Sequence, residues 1–200
     1  MERKVIWSPQ LWPGSEYLHL VVDEQRILAD GMVIGVNEED PFSLCYTVEC
    51  DPAWHVRSVS ATSGTNEINL ATEGYGFWTD AWGNPINVLD GCRDVDISVT
   101  PFTNTIPIRR LSLVEGASVE IMMAYISAPK LEVTPMLQRY TCLRTGDQGS
   151  VYEYVSVVSG FTAELFVDAD GLVVNYPGVW KRVLLGAAKR NGGNGSGHLA

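Results

Sequence analysis

Two aspartates two residues apart, Asp94 and Asp96, and the neighbouring arginines Arg109 and Arg110 are the groups in this chain whose type and spacing could do chemistry. They lie in one stretch, Asp90–Leu111 (DGCRDVDISVTPFTNTIPIRRL), whose first half alternates Asp94, Asp96, Ser98 and Thr100 with Val95, Ile97 and Val99. Successive side chains of a strand point to opposite faces, so one face is acidic and hydroxylated and the other apolar. Aspartate is depleted in strands, and two like charges on one face repel, so the pair needs compensation. Pro101 and Pro107 bracket a polar turn that returns the chain toward Arg109 and Arg110. The pattern predicts a carboxylate–guanidinium cluster built across a sharp reversal. If the acidic face meets water, Arg109 is a rim partner contributing at most about 1 kcal/mol. If it lines a concave sheet, its charges must be paired, because an unpaired buried carboxylate is strongly destabilising, and such pairs often mark a site.

Other polar groups sit inside or beside strong strand patterns: Asp80, Arg139, Tyr140 and Glu164, with Trp78 as an aromatic wall. Asp94, Asp96, Arg109, Arg139, Tyr140, Glu164 and Trp78 are the candidate ligand-binding residues. Two carboxylates can also act as acid and nucleophile on a glycosidic bond, and the strand spacing puts Asp94 and Asp96 about 7 Å apart at the backbone. A salt-bridged scaffold accounts for the same residues. The chain has no Gly-x-Ser-x-Gly elbow, no His-Glu-x-x-His, no phosphate-binding Gly-x-x-x-x-Gly-Lys and no dinucleotide fingerprint. His19 and His55 fall on separate strands without a Cys or carboxylate at ligand spacing, so neither a metal site nor a cofactor is expected, and no catalytic residue is assigned.

The elements that must position these groups are strands. Tyr17–Asp23, Ile27–Val36, Phe42–Glu49 and Trp54–Ser60 are β-rich. The second is interrupted by Asp30-Gly31, a dipeptide favoured in hairpin turns. Weaker strands follow around Gly74 and Gly76, and Ser118–Ile126, Gln138–Leu143, Val151–Val158, Phe161–Val167, Gly171–Tyr176 and Val179–Leu185 complete the set. Helix-period apolar patterns are lacking, apart from a short turn expected near Thr103–Ile108. Ala29-Asp30-Gly31 is echoed by Ala169-Asp170-Gly171, which suggests a recurrent hairpin. Roughly thirteen short strands exceed what an open twisted sheet accommodates, so the sheet must curl, stack or close. The expectation is a mainly β fold with very little helix, a single domain over 1–186 and a disordered Gly-rich tail over 187–200.

With 14 basic against 24 acidic residues and a net charge of -10, nucleic acid and anionic membranes are excluded as natural partners. No stretch approaches the roughly 20 apolar residues of a membrane span, and the basic start is broken by Pro9 and Pro13 before reaching signal-peptide length. The expected location is the cytoplasm, with the four cysteines reduced. Six Trp and eight Tyr are spread along the chain and could stack on sugar faces or line an apolar cavity.

Gly31-Met32-Val33-Ile34-Gly35, the block Leu89–Leu111, Gln138-Arg139-Tyr140-Thr141 and Gly160–Gly178 (GFTAELFVDADGLVVNYPG) together resemble the bacterial family named "putative glycolipid-binding". The resemblance runs from Trp7 to Arg182. It implies a spiral β-roll, one curled antiparallel sheet similar to the periplasmic carriers of lipoprotein acyl chains, and a glycolipid as ligand. The favoured reading is therefore non-enzymatic: an amphipathic small molecule or glycolipid held in the concavity of the roll. Two rivals stand beside it, a hydrolase of glycoconjugates using the Asp94/Asp96 region and a homo-oligomeric scaffold pairing through a sheet edge.

Overall fold

The structure, a computed structural model, describes residues 1–37 and 39–183; the expected tail, 187–200, lies outside the described residues. Fourteen strands form one sheet: β1 (Glu2–Pro9), β2 (Gly14–Val22), β3 (Ile27–Asn37), β4 (Asp40–Cys50), β5 (Val56–Ser63), β6 (Asn66–Thr72), β7 (Trp78–Thr79), β8 (Asp94–Ile97), β9 (Ser118–Ser127), β10 (Glu132–Arg144), β11 (Ser150–Ser156), β12 (Phe161–Val167), β13 (Val173–Tyr176) and β14 (Trp180–Arg182). Among the described residues, one short α-helix, α1 (Thr105–Leu111), follows a turn of 3₁₀ helix at Phe102–Asn104, and another 3₁₀ turn lies at Asn87–Leu89. The spatial order is β7-β6-β5-β4-β3-β2-β1-β14-β13-β12-β11-β10-β9-β8. Two antiparallel meanders thus meet where β1 pairs with β14. The expected all-antiparallel sheet has one exception, since β8 runs parallel to β9.

That order forces the sheet to curl. The outermost strands, β7 and β8, are joined by residues 80–93 alone. Even fully stretched, this linker reaches about 50 Å, whereas fourteen strands laid flat would separate the two edges by about 60 Å. The edges come together: Gly91 N–H donates to Gly76 O at 2.8 Å and Trp78 Nε1 donates to Cys92 O at 2.7 Å. They do not pair as strands, so the roll stays open and is not a barrel.

Alternation along each strand decides which side chains face inward. In β4, Leu44, Tyr46 and Val48 are buried while Ser43, Cys45 and Thr47 point outward, and β2 buries Leu18 and Leu20 in the same way. The interior they face is filled by the chain's own central segment. Pro101 through Ile108 are all buried, and the core runs unbroken from Trp7, Leu18 and Val33 through Phe102, Ile106 and Ile108 to Leu165 and Trp180. Burying such a segment draws on the hydrophobic effect from both sides at once, which is why the sheet wraps around it.

The Asp30-Gly31 turn expected from sequence is absent. β3 runs straight through it, Gly31 pairing with Leu18 on one side and Tyr46 on the other. The glycine serves a different need, because the Tyr46 ring lies over it; a Cβ there would stand 2.0 Å from Tyr46 Cζ. Its sequence echo at Asp170-Gly171 is a real turn, so the two are not equivalent. Gly31→Ala is expected to cost about 1–3 kcal/mol through overpacking, seen as a lower urea midpoint with the far-ultraviolet dichroism of the sheet retained.

Candidate functional site

The acidic strand is inside the roll. Asp94 is fully buried, and both its partner and the reason for its burial come from α1: Arg110 Nε donates to Asp94 Oδ1 at 2.8 Å and Arg110 Nη2 to Oδ2 at 2.5 Å. The fork of a guanidinium matches both carboxylate oxygens. The expected partner, Arg109, is one residue off. Adjacent residues on a helix point about 100° apart, and Arg109 leaves the interior to lie over the Trp54 ring at 5.7 Å.

Asp96 does not share that pair. It accepts hydrogen bonds from Thr103 Oγ1 at 2.9 Å and Gln138 Nε2 at 2.6 Å, and burial raises its carboxyl above the usual range despite both donors. Gln138 in turn accepts from the Tyr140 hydroxyl, which also donates to Asn104 Oδ1 at 2.9 Å. Asp96 and Tyr140 are therefore brought together through Gln138. A third buried acid, missed in the sequence, mirrors this on the other meander. Glu16 accepts from the hydroxyls of Tyr46 at 2.5 Å and Thr100 at 2.6 Å, its Oε2 has no partner, and burial pushes it up to about 8. Acids on β2 and β8 thus tie the sheet to the central segment.

The remaining candidates are dispersed. Trp78 is buried, its indole bonded to the Cys92 carbonyl. Arg139 points outward with Glu120 at 3.7 Å, and Glu164 is exposed on the outer face of β12. The sequence-derived set does not form one site.

A groove does form on the outer face of β1–β6. Two cross-strand rows lie side by side there. One runs Ile6, Tyr17, Met32, Cys45, Thr62, Glu67; the next runs Lys4, His19, Asp30, Thr47, Ser60, Asn69. The first begins apolar, with Tyr17 43% and Met32 52% exposed, and Ile34 beside it is 55% exposed. The second is polar throughout. Thr47 Oγ1 donates to Asp30 Oδ1 at 2.7 Å, and His19 Nε2 lies 2.8 Å from Glu2. Between the rows is a groove of about 390 Å³ lined by Tyr17, His19, Asp30, Met32, Thr47 and Asn69 among others. A second hollow, about 380 Å³, begins at the shared Tyr17 and continues over Ile6 to Val183 and Arg182 at the β1–β14 seam.

Sequence reasoning missed this groove because its residues are joined by register across six strands. The available signal was the appearance of Tyr17, Met32 and Ile34 at positions whose neighbours in sequence face the core.

The fold is an open β-roll with its central segment buried inside and an amphipathic groove on its outer face. The chain belongs to the family described as "Putative glycolipid-binding", which matches residues 4–182. It is also similar to the crystal structure of a DUF1089 family protein from Pseudomonas aeruginosa, with 36% identity and a TM-score of 0.74 over 84% of this chain and 92% of that one. No curated protein matches it. Among the described residues, no helix is long and apolar enough to cross a membrane.

Proposed function

We propose that the protein binds a glycolipid in the groove on the outer face of β1–β6, the sugar against the polar row and the acyl chain along the apolar one. The observation that carries this is the adjacency of the two rows. A sugar offers hydroxyls that Asp30, Thr47, Asn69 and His19 can meet, and a pyranose face can stack on the exposed Tyr17 ring. An acyl chain laid over Met32, Ile34 and Ile6 gains roughly 25 cal/mol per Å² removed from water. The family description supports the same ligand class. The interior acids then act as a scaffold, since Asp94 is held by Arg110 and Asp96 by Gln138 and Thr103.

Calorimetric titration with n-octyl β-glucoside below its micellar concentration tests this. Tyr17→Ala and Asp30→Ala are each expected to weaken binding by about tenfold, the equivalent of about 1.4 kcal/mol, while Arg139→Ala and Glu164→Ala leave it unchanged. Unaltered affinity in both groove variants would refute the assignment.

A further inference from the structure

A surface separate from the groove is built by the segment that runs from β6 through the edge strand β7 to β8. Between the end of β6 and the start of β8, four large apolar side chains stand out into solvent: Trp82 at 85% exposure, Tyr75 at 73%, Phe77 at 69% and Val88 at 62%. They are not on a loose loop. The Asp80 carboxylate accepts from the backbone N–H groups of Trp82 and Asn84, both at 2.9 Å, and from the Asn84 amide at 3.0 Å. Ile86 N–H donates to Trp78 O, and Gly91 N–H to Gly76 O, both at 2.8 Å. The backbone that carries the exposed rings is therefore fixed before any partner arrives, with Trp78 buried beneath as its anchor.

Several large apolar side chains exposed within one short, hydrogen-bonded segment of a folded protein mark an interaction surface. The composition and charge of this one select the partner. Tryptophan, tyrosine and phenylalanine are the side chains that settle at the boundary between headgroups and acyl chains. Residues 73–91 contain no lysine or arginine and three acidic groups, Glu73, Asp80 and Asp90. Arg57, which donates to Glu73 O, is itself paired with Asp51, so a surface of net acidic sign, on a chain of net charge -10, is repelled by anionic lipid. We propose that the Glu73–Gly91 segment docks the protein peripherally on an electrically neutral lipid surface, with Trp82 and Phe77 as interfacial anchors.

The test is sedimentation of the intact chain with large vesicles of pure phosphatidylcholine, which carry no sugar and so leave the groove assignment out of the measurement. The wild type is expected to sediment with the vesicles and to shift its tryptophan emission to the blue. Trp82→Ala/Phe77→Ala is expected to lower the bound fraction at least tenfold, whereas Tyr17→Ala does not change it. Replacing half of the lipid with phosphatidylglycerol at low salt should weaken binding. Trp82→Gln alone, at a turn tip where folding is unaffected, serves if the double variant is unstable. Three results would overturn the proposal: no sedimentation of the wild type, equal sedimentation of the variants, or a concentration-dependent dimer abolished by Trp82→Gln without vesicle binding, which would assign the surface to a second copy of the chain.

Discussion

Arg110→Met is expected to destabilise the fold by about 3–5 kcal/mol, the cost of leaving a buried carboxylate without its counter-charge. Asp94 is fully buried, with no side-chain surface exposed to solvent. The adjacent substitution, Arg109→Met, removes an exposed guanidinium that lies over the face of Trp54 and donates at 3.5 Å to Ala169 O, and about 0.5–1 kcal/mol is expected from it. The contrast between neighbouring arginines is the diagnostic, and urea unfolding of both variants measures it. Asp94→Leu/Arg110→Met, which replaces the pair with apolar groups, should recover most of the loss. Recovery would identify the pair as a means of fixing the central segment, one that adds little net stability over an apolar filling.

The second large effect is a dependence of stability on pH that runs opposite to ordinary acid denaturation. Glu16 has an ordinary value of 4.5 when unfolded and about 8 when buried in the roll. Between these values the folded state holds a proton that the unfolded state has released, so unfolding becomes easier as pH rises. The slope is about 1.4 kcal/mol per pH unit, or roughly 5 kcal/mol over the whole window. Below the window both states are protonated, and above it both are ionised, so the contribution is flat at each end. Asp96, raised by burial, acts in the same direction. Asp80, held low first by the Asn84 amide, and Asp23, held low by the Arg26 backbone N–H, lose their contributions at more acidic pH. The melting temperature of the wild type is thus expected to fall from pH 5 to pH 8. Glu16→Gln, which keeps an acceptor for Tyr46 and Thr100, should flatten most of that fall. A wild type that becomes steadily more stable up to pH 8 would show that Glu16 is ionised in the fold.

Much of the architecture was legible in the chain because strand burial is written in a period of two. Phe42, Leu44, Tyr46 and Val48 announced β4, and the pressure of many short strands announced a curled sheet. The one helical turn expected, near Thr103–Ile108, is seen as α1 and the 3₁₀ turn before it, while the polar turn expected between Pro101 and Pro107 is this same segment, buried in the core. What misled was local chemistry with a distant cause. Asp30-Gly31 reads as a hairpin turn, yet its glycine answers to the Tyr46 ring fifteen residues away. The Asp94 partner was expected to be Arg109 and is its neighbour Arg110, because the choice depends on the rotation of a helix whose first residue sequence alone does not fix. The groove was illegible for a related reason. Its rows join residues 4 to 69 through strand register, and register is a property of pairing that no single strand carries.

The proposed function turns on where an amphipathic guest sits. The most direct measurement is a crystal structure of the protein with n-octyl β-glucoside bound. The glucose ring is expected within hydrogen-bond distance of Asp30 and stacked on Tyr17, the alkyl chain over Met32, and the Asp94–Arg110 pair undisturbed. A ligand found inside the roll, with α1 displaced and the Asp94–Arg110 pair broken, would contradict it.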